Sequence, residues 1–153
     1  LANGASRIFW GWVSDRIGRE ITMVIAFFLQ AVCLLGVLAL GRTSSVWFTV
    51  TMALTFFTWG EIYALFPATA GDWFGARHAT SNYSFLYTAK GVASILAGGV
   101  AALLYQLLGD WSAAFYGSAA LALLASVMAA VLRAAPLPSK ALAAPVPSLE
   151  ALR

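Results

Sequence analysis

The sequence has little charge and few of the side chains that carry chemistry in enzymes and metalloproteins. Charged residues make up 10% of its 153 positions, whereas ordinary soluble domains carry roughly 25%. There is one cysteine, Cys33, and one histidine, His78, so neither an internal disulfide nor a metal site is predicted. The sequence has no phosphate-binding glycine loop and no nucleophile and base arrangement, so we expect no cofactor and no nucleic acid, and an enzyme is the least favoured class. Hydrophobic residues make up 61% and the mean hydropathy is +0.84, which predicts a helical membrane protein.

Apolar segments long enough to cross a bilayer follow one another along the chain. A hydrocarbon core of about 30 Å needs around 20 helical residues. The predicted helices are a partial one at 1–13 and full spans at about 21–40, 46–69, 83–108 and 111–132. The third of these is expected to kink and stop near Pro67. Residues 134–153 carry four prolines among small residues and are expected to form a disordered cytoplasmic tail.

The cations are distributed unevenly between the connections. Six of them fall in connections on one side of the membrane, and only Arg42 falls on the other. Since lysine and arginine favour cytoplasmic loops, the side with six cations is predicted to be cytoplasmic. The remaining two, Arg7 and Lys90, lie inside apolar segments.

Lys90 is the only ionisable cation between Tyr83 and Leu108. A lysine at the centre of a membrane helix costs about 2.5 to 3.5 kcal/mol, so it should have a function or a partner. Helical steps of three and four place it on one polar and aromatic stripe with Tyr83, Tyr87, Ser94 and Gly98. This stripe is predicted to face a water-lined cavity.

The first connection has the pattern Gly11-x-x-x-Asp15-Arg16-x-Gly18-Arg19. Gly11 allows a neighbouring helix to approach closely, and Asp15 is favoured near a helix N-terminus. The pattern resembles the cytoplasmic loop motif of the major facilitator superfamily, although a charged turn that only sets topology is an alternative. The resemblance implies a latch, formed by these five residues, that breaks and re-forms as two six-helix halves rock about a midplane site. It also implies that the chain is most of the C-terminal half, with half a helix and four full helices, and that the N-terminal half is its missing partner.

Three further patterns resemble the oxalate/formate antiporter group of that superfamily. They are Asn3-Gly4-x-x-Arg7-x-Phe9-x-Gly11, Phe74-Gly75 and Asn82-Tyr83-x-x-Leu86-Tyr87-x-Ala89-Lys90-Gly91. The resemblance implies that Arg7 and Lys90 bind the two carboxylates of a dicarboxylate, and that Trp59 and Tyr63 line the same site. Tyr87 adds an aromatic wall from the lysine helix. A dianion in a low-dielectric cavity requires such compensating charge, and arginine presents a planar fork that matches a carboxylate.

Glu61 leaves the function open, because it is the only acid in the 46–69 segment. Two residues from Trp59, it points roughly 200° away from that face of a helix. It is interpreted as a salt-bridge partner of Lys90, as a protonated or interface-facing acid, or as a proton-coupling group, and the spacing favours a position away from the site. The main prediction is exchange of small carboxylates across a bacterial inner membrane. The alternatives are a proton-coupled monocarboxylate carrier that uses Glu61, and a non-transporting membrane module in which Lys90 is paired internally.

Overall fold

The computed structural model describes residues 2–75, 77 and 79–134, and every regular element among them is a helix apart from one residue of 3-10 conformation. The helices are α1 (Ala2–Ile17), α2 (Arg19–Leu40), α3 (Ser45–Trp59), α4 (Ile62–Phe74), α5 (Ala79–Leu108) and α6 (Ser112–Ala134). Three segments of the described chain are long and apolar enough to cross a membrane: α2, α6 and Thr80–Leu108 of α5. The tail predicted at 134–153 lies, from residue 135 onward, outside the described residues.

The scaffold is built around α2, which packs against α6 on one side and α3 on another. Small buried residues form much of these contacts, including Ala26 and Ala31 of α2 and Ala119 and Ala129 of α6. Small side chains let membrane helices approach closely, and a polar side chain then bonds across the gap. Ser126 of α6 does so by donating a hydrogen bond to the carbonyl of Val24 at 2.9 Å.

The segment expected as one span at 46–69 is two helices, separated at Gly60 and Glu61. At Gly60 a Cβ atom would overlap the hydroxyl of Ser6 and lie 3.0 Å from the carbonyl oxygen of Asn3, so only glycine allows α1 to pack this closely. The interruption therefore coincides with the point where α1 crosses the broken helix.

Side chains of α1 also bond the backbone groups that the interruption frees. In a continuous helix the carbonyls of Phe56 and Phe57 would accept from residues 60 and 61. Instead Asn3 Nδ2 donates to the Phe56 carbonyl at 3.4 Å, and Trp10 Nε1 donates to the Phe57 carbonyl at 3.0 Å. Non-helical backbone at membrane depth is tolerated when protein groups satisfy it in this way.

Pro67 lies inside α4, which continues to Phe74. A proline removes one backbone hydrogen bond, here to the carbonyl of Tyr63, and helices in membranes tolerate this loss when neighbouring groups compensate. The helix ends instead at Gly75, whose φ of 79° favours glycine.

Arg42 links two loops at the opposite end of the bundle from the first connection. Its Nη2 donates to both carboxylate oxygens of Asp110 at 3.1 Å and to the hydroxyl of Ser112 at 2.6 Å. Ser112 also donates to Asp110. This clasp joins the α2–α3 loop to the α5–α6 loop.

Candidate functional site

The five residues predicted to bind substrate lie together around the ring of Tyr63. Arg7 Cζ lies 4.1 Å and Lys90 Nζ 3.9 Å from the centroid of this ring, and the Tyr63 hydroxyl accepts a hydrogen bond from Lys90. Lys90 Nζ also lies 5.3 Å from the Trp59 ring and 5.2 Å from the Tyr87 ring. Residues from α1, α3, α4 and α5 therefore converge on one aromatic cluster that holds two cations.

The local structure explains how the aromatic side chains are placed. Trp59 is the last residue of α3 and Tyr63 is the second of α4, so the interruption lies between them. Their rings meet edge to face, with centroids 5.9 Å apart, a favoured aromatic geometry. On α5, Tyr83 packs on Tyr87 one turn away at 5.8 Å.

Arg7 is oriented by its own helix, because its Nη2 donates to Asn3 Oδ1 at 3.1 Å, four residues earlier. The guanidinium retains further N–H donors, since arginine has five. These donors are available to a ligand that enters beside Tyr63.

The two cations repel each other across a short gap. Since each lies about 4 Å from one ring centroid, Arg7 Cζ and Lys90 Nζ are at most about 8 Å apart. At an effective dielectric constant of about 20, two unit charges at 8 Å repel by about 2 kcal/mol. The negative face of Tyr63 offsets part of this repulsion through cation–π contacts. Among the described residues neither cation forms an ion pair with a carboxylate, so the cluster carries net positive charge.

Glu61 lies between Trp59 and Tyr63 in the chain and is only 1% exposed. Its Oε2 is buried and has no hydrogen-bond partner among the described residues. Within the described part of the chain it makes no ion pair with Lys90. The arrangement in which these two residues neutralise each other is therefore not the one observed.

The residues predicted to form a latch lie where α1 meets α2. Gly18 has a φ of 93°, which favours glycine, and lets the chain turn between the two helices. Arg19 Nη1 lies 3.7 Å from Asp15 Oδ1, and Arg16 stacks over the ring of Trp12 at 3.8 Å. No described atom lies within 4 Å of a Cβ built on Gly11, so the close helix approach predicted there is not made inside this part of the chain.

Comparison with known proteins assigns the family. The sequence model of the Major Facilitator Superfamily matches residues 1–152. The chain belongs to this superfamily. It is 42% identical over 129 residues to the oxalate:formate antiporter of Oxalobacter formigenes. The aligned residues cover 84% of this chain and 31% of that protein. It is 30% identical over 91 residues to apicoplast pyruvate carrier 2 of Toxoplasma gondii. Here the aligned residues cover 60% of this chain and 14% of that carrier.

Membership in the Major Facilitator Superfamily confirms the predicted family and the all-α membrane class. It also identifies the chain as part of a transporter and not of an enzyme. The chain spans about a third of the length of the antiporter and about a seventh of that of the pyruvate carrier.

Sequence reasoning missed Asp72 as a partner of the superfamily loop motif. The carboxylate of Asp72 accepts a hydrogen bond from Arg19 Nε, which ties the last turn of α4 to the start of α2. In the same place Trp73 Nε1 donates to Glu20 Oε1 at 3.3 Å. The available signal was that Asp72 is the only acid between residues 62 and 74, but its partner is distant in the sequence.

A cavity of about 330 Å³ with three polar side chains in its lining lies beside Trp59, between α2, α3 and α6. Its lining consists of Gln30, Leu34, Thr55, Phe56, Trp59, Ser118 and Ala122. Gln30 is hydrogen-bonded to Thr58 on the neighbouring turn of α3. Polar groups therefore reach the α3 side of the site, which the aromatic pattern did not indicate.

Proposed function

We propose that this chain is the C-terminal part of a carrier that exchanges small carboxylates, with oxalate and formate as the first candidates, by alternating access in a bacterial plasma membrane. The observation that carries the proposal is the convergence of Arg7 and Lys90 on one tyrosine ring without a carboxylate partner among the described residues. An anion with two carboxylates would supply the missing negative charge. Similarity to the oxalate:formate antiporter supports the same substrate class.

The short gap between the cations favours a short dianion. Charge-assisted hydrogen bonds span about 2.7 to 2.9 Å on each side, and the cations are at most about 8 Å apart. Oxalate, whose two carboxylates are directly joined, is short enough to contact both at once. A longer dicarboxylate would have to fold or displace one cation.

Tyr63 has a second role in this proposal. Its hydroxyl accepts from Lys90 in the observed arrangement, and a tyrosine hydroxyl both donates and accepts. When a carboxylate contacts Lys90, the hydroxyl is free to donate to that carboxylate. Trp59 and Tyr87 then close the aromatic wall around the anion.

The same charges explain why the carrier would exchange rather than release its substrate and return empty. Without an anion the two cations repel by about 2 kcal/mol at the stated separation. When the empty carrier closes around the two cations, the lower dielectric constant makes their repulsion larger. The latch residues Gly11, Asp15, Arg16, Gly18 and Arg19 would re-form against the proposed N-terminal half as the two halves rock within the lipid bilayer.

The test is uptake of labelled oxalate into proteoliposomes loaded with oxalate or formate, with the full-length carrier. Arg7→Gln and Lys90→Gln are each expected to abolish exchange, because each leaves one carboxylate without its cation. Arg133→Gln is the control, since Arg133 is an exposed cation at the end of α6. Exchange that persists in both the Arg7→Gln and the Lys90→Gln variant would contradict the proposal.

A second candidate is a proton-coupled monocarboxylate carrier, which the buried, unpartnered carboxylate of Glu61 favours. This carrier would need only one of the two cations. Lactate or pyruvate uptake driven by an inward proton gradient, without oxalate exchange, would favour it. A non-transporting module requires Lys90 to be paired internally, and no such ion pair is observed among the described residues.

A further inference from the structure

Glu61 combines three features that the exchange mechanism does not use. It lies at the interruption between α3 and α4, it is 1% exposed, and its Oε2 has no hydrogen-bond partner in the part of the chain that the structure describes. Its backbone is bonded, because the Glu61 carbonyl accepts from Ala64 N at 3.0 Å and from Leu65 N at 2.8 Å. The group without a described partner is therefore Oε2 of the side chain.

We propose that Glu61 is a reversible proton-binding site that controls the affinity of the neighbouring anion site. With its proton, Glu61 is neutral and leaves Arg7 and Lys90 to the substrate; without it, Glu61 becomes a resident anion that competes for the same cations. This inference rests on the proposed carboxylate exchange.

The surroundings favour the neutral form in the observed arrangement. An ionised carboxylate buried without a partner is costly, and more so in a membrane, whereas a carboxylic acid keeps one donor and its acceptors. The helices packed against α4 are α1, α2 and α5. Away from the membrane surfaces the ionisable side chains on α4 and on these helices are Arg7, Cys33, Tyr63, Tyr83, Tyr87 and Lys90.

Competition follows from the position of Tyr63, two residues after Glu61. Both cations contact the Tyr63 ring, and within the described ranges neither forms an ion pair with Glu61. A charge on Glu61, two residues from the ring that both cations contact, would attract them through the same Coulomb interaction that attracts a substrate carboxylate. Substrate binding and deprotonation of Glu61 would then oppose each other.

Linkage gives the sign and size of the effect. If substrate binds only when Glu61 is protonated, the apparent KM for oxalate rises with pH, approaching about tenfold per pH unit once most carriers have lost the proton. The maximal exchange rate stays constant, since saturating substrate restores the protonated form. A residue with a merely structural role would not produce this separation of KM from the maximal rate.

The test is the KM for labelled oxalate exchange by the full-length carrier over about four pH units, with equal pH on both sides of the membrane. Glu61→Gln mimics the neutral acid and is expected to give a low KM that does not change with pH. Glu20→Gln is the matched control, because Glu20 is an acid at the start of α2 whose amide replacement still accepts from Trp73. This control should keep the wild-type profile.

Failure of the inference differs from failure of the proposed function. No oxalate exchange by the wild type at any pH overturns the function, whereas exchange with a flat wild-type profile, or a Glu61→Gln profile that still rises, overturns the proton site. Wild-type protein gives a second measurement that needs no variant. At a pH where the KM has begun to rise, adding oxalate should drive proton uptake from a weakly buffered solution, as reciprocal coupling requires; the absence of uptake also overturns the inference.

Discussion

Replacing Gly60 by alanine tests the close contact between α1 and the interrupted helix. The new Cβ would overlap the hydroxyl of Ser6, lie 3.0 Å from the Asn3 carbonyl oxygen and lie 3.1 Å from Ser6 Cβ. Ser6 is fully buried, and its hydroxyl donates to the Asn3 carbonyl at 2.8 Å, so it cannot rotate away without losing that bond. Overpacking costs typically 1 to 3 kcal/mol, and an unpaired buried hydroxyl costs about 1 to 3 kcal/mol. We expect Gly60→Ala to lower the free energy of unfolding by about 2 to 3 kcal/mol.

The assay is denaturant unfolding of the purified carrier in detergent, with Ser6→Ala in a double-mutant cycle. Ser6→Ala removes the overlapping oxygen, so the double variant should recover at least about 1 kcal/mol of the loss, a coupling typical of residues in contact. Gly98→Ala on α5 is the control, since no described atom lies within 4 Å of its added Cβ. The reasoning is refuted if Gly60→Ala unfolds like the wild type, or if Ser6→Ala and Gly60→Ala have additive effects.

Three further predictions concern charged groups. Lys90→Gln should leave the unfolding free energy nearly unchanged, because the repulsion of about 2 kcal/mol that it removes is offset by the aromatic contacts that it loses. It should nevertheless weaken oxalate binding about a hundredfold or more in a fluorescence titration; a marked loss of stability would instead indicate that Lys90 has a structural role. Asp72→Asn should cost less than about 1 kcal/mol in denaturant unfolding, because its pair with Arg19 is partly exposed, and a larger loss would contradict that assignment. The hydrogen bond from Ser112, with a nearby arginine, lowers the pKa of Asp110 below its usual range. The contribution of Asp110 to stability is therefore present above the ordinary carboxyl pKa and is lost as the pH falls through the lowered value. The unfolding midpoints of the wild type and Asp110→Asn should converge only in acid. Convergence near neutral pH would refute this.

Apolar length was sufficient to locate most helices from the sequence. The segments predicted at 21–40, 83–108 and 111–132 lie within α2, α5 and α6, with one residue of the last preceding its helix. The interruption of the segment at 46–69 was missed because hydropathy contains no information about which backbone carbonyls accept hydrogen bonds from another helix. The contacts of Asn3 and Trp10 with that segment involve residues about fifty positions away, and no local pattern encodes such a distance.

The candidate site was more predictable than the ends of its helices. Cations in apolar segments are costly, so Arg7 and Lys90 stood out in the sequence, and both lie on Tyr63 in the structure. The substrate-binding role of these residues stays a prediction. Asp72 escaped notice because an acid at the end of a membrane helix is ordinary, and only the fold brings it to Arg19.

Asn3 connects the cation of the site to the interrupted helix. Its Oδ1 accepts from Arg7, and its Nδ2 donates to the carbonyl of Phe56. One amide therefore orients the guanidinium and satisfies a backbone group that the interruption leaves free. An anion that draws Arg7 toward itself would therefore also act on Asn3, whose amide supports the α3–α4 junction. Substrate charge and the geometry of the α3–α4 junction are in this way linked through direct contacts of one side chain.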